Sequence, residues 1–119
     1  MIRGTTAQFR FKLPYPRWEF KDAVITFWQP SNPNFGESIK KKLEQCDNFG
    51  EASELCVALT AKETARFSDK FKAKVQLRAF HMASGTIIGC PPQTIPVYPM
   101  SDELIEEDLA TIADSQDAV

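Results

Sequence analysis

Few side chains in this 119-residue sequence are of types that carry covalent or metal chemistry, and their spacing suits neither. His81 is the only histidine, and no carboxylate or cysteine lies close to it along the chain. It continues an apolar strand face, so a structural role is the better reading. The cysteines are Cys46, Cys56 and Cys90, an odd number with no CxxC pair. A zinc site needs four nitrogen or sulfur ligands at short spacings, which these residues do not supply. Nor do they make a disulfide framework. They read as reduced thiols serving as small apolar residues, with a Cys46–Cys56 link across a hairpin as the alternative. There is no glycine-rich phosphate loop, HExxH, nucleophile elbow or pair of carboxylates set in a cleft. The expectation is a protein that is not an enzyme and has no metal, cofactor or small-molecule substrate.

Binding chemistry is better represented. In "FKAKVQLRAFH" (71–81), Lys72, Lys74, Gln76 and Arg78 alternate with Phe71, Ala73, Val75, Leu77 and Ala79. The apolar face is core; the basic stripe is either a solvated sheet face or a surface for an acidic partner. Residues 101–119 hold seven acids (Asp102, Glu103, Glu106, Glu107, Asp108, Asp114, Asp117) and no base, whereas residues 1–100 carry fourteen bases against nine acids. An acidic end on a mildly basic body points to docking on a basic surface, its own or a partner's. Aromatic and basic residues also interleave in "FRFKLPYPRW" (9–18), as they do in single-strand nucleic-acid platforms. Phe9 and Phe11, however, share one face with Leu13 and read as core. Tyr15 and Trp18, in the proline-broken part, are the aromatics left exposed for a partner. A sequence pI of about 5.4 argues against a dedicated nucleic-acid binder.

The elements that must position these residues are mostly strands. A composition of 43% hydrophobic and 25% charged residues is that of one soluble globular domain. No apolar run approaches the roughly 20 residues of a membrane helix. "MIRGTTAQFR" lacks the apolar stretch of a secretory signal, so synthesis in the cytoplasm without export by that route is expected. "TTAQFRFKL" alternates with Ala7, Phe9, Phe11 and Leu13 on one face. "DAVITFWQ" (22–29) is apolar on both faces and reads as a central strand. "PSNPNFGE" (30–37) is a loop, "SIKKKLEQC" (38–46) a further strand, and "DNFGEAS" (47–53) a turn. "ELCVALT" alternates with Leu55, Val57 and Leu59 inward. Thr60 with Glu63 three residues later is a capping box. It opens one helical turn that carries the chain from one strand to the next, with Phe67 packed beneath it. "TIIGC" (86–90) pairs back on the long strand, and "PPQTIPVYP" (91–99) runs extended at an edge. In "SDELIEEDLATIADSQDAV", Ser101 is an N-cap, and Leu104, Ile105, Leu109 and Ile112 form a narrow apolar stripe on an acidic helix over 101–113. These readings divide the chain into a domain at 1–99 and an acidic C-terminal helix or tail at 100–119.

"MIRGTT", "FKLP", "AVITFWQ", "VALTAKETARF", "VQLRA" and "SGTIIG" follow one another in an order that resembles a group of small uncharacterised bacteriophage and prophage proteins of gut bacteria. That group shares a GTT start, an LP, an ITF.Q strand, an LT..ET..F turn and a QLR strand. The resemblance covers about residues 1–90 and stops before the prolines and the acidic end. It implies a small Ig-like antiparallel β-sandwich and a structural part of the virion, associated with the tail or baseplate. The expected function is a non-enzymatic adaptor or decoration subunit, a homo-oligomer or multi-copy ring whose partners are other virion proteins, with no nucleic acid and no membrane. Its expected location is the virion, after synthesis in the host bacterial cytoplasm. The expected contact residues are Leu104, Ile105, Leu109, Ile112, Lys72, Lys74, Arg78, Tyr15 and Trp18. The rival reading is a phage-encoded module that inhibits a host protein, with the acidic end mimicking an acidic ligand.

Overall fold

The alternating stretches pair as strands in the computed structural model, which describes residues 1–46 and 52–99. In chain order they are β1 (Ala7–Lys12), β2 (Phe20–Trp28), β3 (Ile39–Lys42), β4 (Glu54–Leu59), β5 (Ala73–His81), β6 (Thr86–Gly89) and β7 (Gln93–Ile95), with a one-turn helix α1 (Ala61–Thr64) between β4 and β5. The protein is mainly β, with two antiparallel sheets. One is the pair β1–β4; the other runs β3-β2-β5-β6, with β7 also on β5.

Register follows from the period-2 pattern, because residues directly opposite on antiparallel strands share a face. Phe9 lies opposite Val57 and Phe11 opposite Leu55, so the apolar sets of β1 and β4 coincide. In the larger sheet Ala23 meets Ala79, Ile25 meets Leu77 and Phe27 meets Val75, while β3 brings Ile39 beside Phe27. These inward residues and Leu55, Val57 and Leu59 from the other sheet form one core cluster. Phe9 and Phe11 are half-buried at its margin, and the Phe9 ring reaches across to Phe27 with centroids 5.1 Å apart. Phe67, expected beneath the helical turn, is fully buried and packs on Phe35 at 4.7 Å between centroids.

Proline decides the far edge. Pro91 and Pro92 cannot donate to a ladder, so the strand beside β5 is split. β6 pairs with Arg78–His81 and β7 with Ala73–Val75. Cys90 spans the gap by donating its N–H to the Leu77 carbonyl at 3.2 Å.

One local expectation is corrected. The strand expected over 38–46 ends at Lys42. Gln45 turns back so that its Oε1 accepts the Lys42 N–H at 2.8 Å, and Leu43–Gln45 is a 3-10 turn. The proline-broken segment also folds locally, into a 3-10 turn at Arg17–Glu19. Most of the turn expected at 47–53, and the helix expected over 101–113 with Leu104, Ile105, Leu109 and Ile112, lie outside the described residues.

Leu77 is buried at the centre of this core. Leu77→Ala is expected to cost about 2–5 kcal/mol of unfolding free energy through lost burial and the cavity left behind. Denaturant melts check this, and an unchanged midpoint would mean that the inward face of β5 is wrongly assigned.

Candidate functional site

The inner face of the large sheet is tied to the crossover between the sheets. Thr60 accepts the Glu63 N–H on its hydroxyl at 3.1 Å, and Glu63 Oε1 accepts the Thr60 N–H at 2.9 Å, which completes the capping box. Glu63 also pairs with Lys41 of β3, with Oε2 2.8 Å from Nζ. Lys41 lies opposite Ile25, so it points inward while Lys40 and Lys42 point outward. The adjacent Thr64 is fully buried, and its hydroxyl donates to the Thr5 carbonyl at 2.6 Å.

That division leaves a basic outer face. Opposite pairs place Val24 beside Arg78, Thr26 beside Gln76, Trp28 beside Lys74 and Asp22 beside Phe80. β3 adds Lys42 next to Val24 and Lys40 next to Thr26. β6 adds Ile87 next to Phe80, and β7 adds Thr94 next to Lys74. Lys40, Lys42, Arg78 and Ile87 are exposed, whereas Val24, Trp28, Lys74 and Phe80 are half-buried. Lys74 donates to the Thr94 hydroxyl at 2.8 Å, which holds its ammonium over the face. The Asp22 carboxylate partly serves its own strand, accepting the Ala23 N–H at 2.9 Å. The surface is therefore cationic with apolar and aromatic patches, suited to a partner that carries both carboxylates and apolar side chains.

Of the residues expected to meet a partner, Lys74 and Arg78 lie on this face, and Lys72 is exposed just before β5. Tyr15 and Trp18 lie elsewhere. Trp18 is 66% exposed on the 3-10 turn and borders a cleft with Phe20 and Leu43. Tyr15 stacks flat on His81, with centroids 3.8 Å apart and planes inclined by 12°, so one of its faces is already committed. Trp28, Phe80, Lys40 and Lys42 were missed. Their signal was present: "IKKK" alternates through Ile39 and Lys41, and Trp28 and Phe80 stand on the faces of β2 and β5 away from the core.

The surroundings of His81 also need correction. Folding brings it the carboxylate that its sequence neighbours lack, with Nε2 3.1 Å from Glu19 Oε1. Nδ1 is 2.7 Å from Ser84 Oγ, which in turn lies 2.7 Å from Thr86 Oγ1. A hydroxyl, an imidazole and a carboxylate in series resemble an activated nucleophile. Yet His81 is 3% exposed and covered by Tyr15. The series instead ties the 82–85 turn to the segment before β2, where the Met82 N–H donates to the Glu19 carbonyl at 2.9 Å. Among the described residues, no cluster of three or more His, Cys, Asp or Glu could hold a metal ion.

Comparison with protein-family models and with curated proteins finds no match to this chain.

Partial burial pushes the Glu63 carboxyl upward, but hydrogen bonds from Lys41 and Thr60 and the charge of Lys41 outweigh it and hold the pKa below the usual carboxylate value. A depressed carboxylate contributes stability above its unfolded pKa and loses it as pH falls through the folded one. Acid titration of stability should therefore show a loss below the ordinary glutamate range that Glu63→Gln removes. The same acid loss in both proteins would contradict this role for the pair.

Proposed function

We propose that the chain is a non-enzymatic structural subunit that assembles with other proteins through its basic outer sheet face, and that its place is a bacteriophage virion, at the tail or baseplate. In this reading the two sheets pack as a small Ig-like sandwich, supported by the shared core and the Phe9–Phe27 contact between them. One observation carries the assembly role: Lys40, Lys42, Lys74 and Arg78 surround Val24, Trp28 and Phe80 on one sheet face. The acidic residues of 101–119, interspersed with Leu104, Ile105, Leu109 and Ile112, have the complementary composition. A second copy therefore offers a matching segment, and so does any virion protein with similar chemistry. The virion assignment rests on the resemblance over residues 1–90.

Lys74→Glu with Arg78→Glu tests the surface without touching the core. The double variant should keep the wild-type melt while losing most of its incorporation into particles, and raised salt should weaken the wild-type contact through screening. Mass spectrometry of purified particles reads both proteins. Normal incorporation of the double variant would sink the role of this face. Absence of the wild-type chain from particles would sink the virion assignment.

A further inference from the structure

Beyond the end of β2, the loop after it and the segment before β5 border a second positively charged feature, independent of the assembly reading. A cleft of about 430 Å³ is bordered by Arg3, Arg66 and Lys70 together with Asn32, Ser68 and Phe71, and no carboxylate among the described residues borders it. The two arginines are held in place by neutral groups. Arg3 donates through Nε to the Phe67 carbonyl and through Nη2 to the Ala65 carbonyl at 3.1 Å. Arg66 donates through Nη2 to the Phe35 carbonyl at 3.0 Å and to the Glu37 carbonyl, with its guanidinium 4.8 Å from the centre of the Phe35 ring.

These bonds orient the guanidinium groups but cancel none of their charge. The ion pairs among the described residues, Lys41–Glu63 and His81–Glu19, involve none of the three cations. Three like charges gathered on one cleft repel one another and focus a positive potential into it. Nη1 of Arg3 and Nη1 and Nε of Arg66 retain donors that the carbonyls do not use. Fixed guanidinium forks with spare donors suit an anion bearing several oxygens, and a charge near three suits a phosphate better than a single carboxylate.

We propose that this cleft binds a phosphate group. The group is either free or esterified, and half-buried Phe71 forms an apolar flank where the organic part of an ester would lie. Arg3 and Arg66 supply the oriented donors, and Lys70, exposed at the rim, adds charge.

The test is an NMR titration of the full-length chain with inorganic phosphate, adenosine monophosphate and adenosine, at ionic strength held constant with sodium chloride. Phosphate should shift the Ser68 and Lys70 amides and the Arg3 and Arg66 Nε–H signals saturably, and adenosine should not. Equal affinities for phosphate and the monophosphate assign the cleft to the phosphate group alone; tighter monophosphate binding assigns it to an ester. Lys70→Glu, at an exposed position, should leave the fold intact and weaken binding at least about tenfold. Shifts that do not saturate, or that adenosine or sodium chloride alone reproduces, would overturn the proposal. So would unchanged phosphate affinity in Lys70→Glu.

Discussion

The buried carboxamide of Gln29 is the interaction through which the crossover is joined to the large sheet. Gln29 follows the last residue of β2 and is 2% exposed. Its Nε2 donates to the Ser68 and Phe71 carbonyls, each at 2.8 Å. Its Oε1 accepts the Ser68 N–H at 2.9 Å and Asn32 Nδ2 at 2.8 Å. Both donors and both lone pairs are used, so the amide is fully satisfied where an unmet group would be costly. It fixes the segment that delivers the chain from α1 into β5. That segment carries Phe67 into the core and holds Ser68 at the cleft. Arg3 and Arg66 reinforce the same stretch through its carbonyls and the neighbouring loop.

From this joint the two faces of the large sheet differ in how their polar groups are engaged. The inner face is closed by the β1–β4 pair and by the Lys41–Glu63 bridge, and its polar groups are spent on structure. Among the described residues, the lysines of the outer face have no comparable internal partners beyond the Lys74–Thr94 bond. Burying such a surface against an acidic and apolar partner would satisfy charge and cover apolar area together. A rigid sheet is suited to this, because alternate side chains stand in fixed rows.

Periodicity made β1, β4 and β5 legible from the residues, and apolarity on both faces marked β2 as central. The Thr60–Glu63 spacing carried the helical turn, because both halves of a capping box lie within four residues. Long-range polar contacts were not legible. Nothing near Gln29 announces a partner 39 residues away, and Glu19 stands 62 residues before the histidine it meets. The basic face was half legible: alternation gave Lys74 and Arg78, but Lys40 and Lys42 joined them only once β3 was paired with β2. The end of β3 was misplaced because Ile39 and Leu43 share a face in a strand as well as a helix, and the bond to the Gln45 side chain ends the strand at Lys42.

The central claim is that the crossover is locked into the core and is not a loosely attached connection. Native-state hydrogen exchange on the Ser68 and Glu63 amides, which donate to Gln29 Oε1 and Thr60 Oγ1, measures it directly. The account predicts that both exchange only with global unfolding, at the free energy found for core amides of β2 and β5. Exchange of either through a low-energy local opening, while the β2 and β5 amides stay protected, would contradict it.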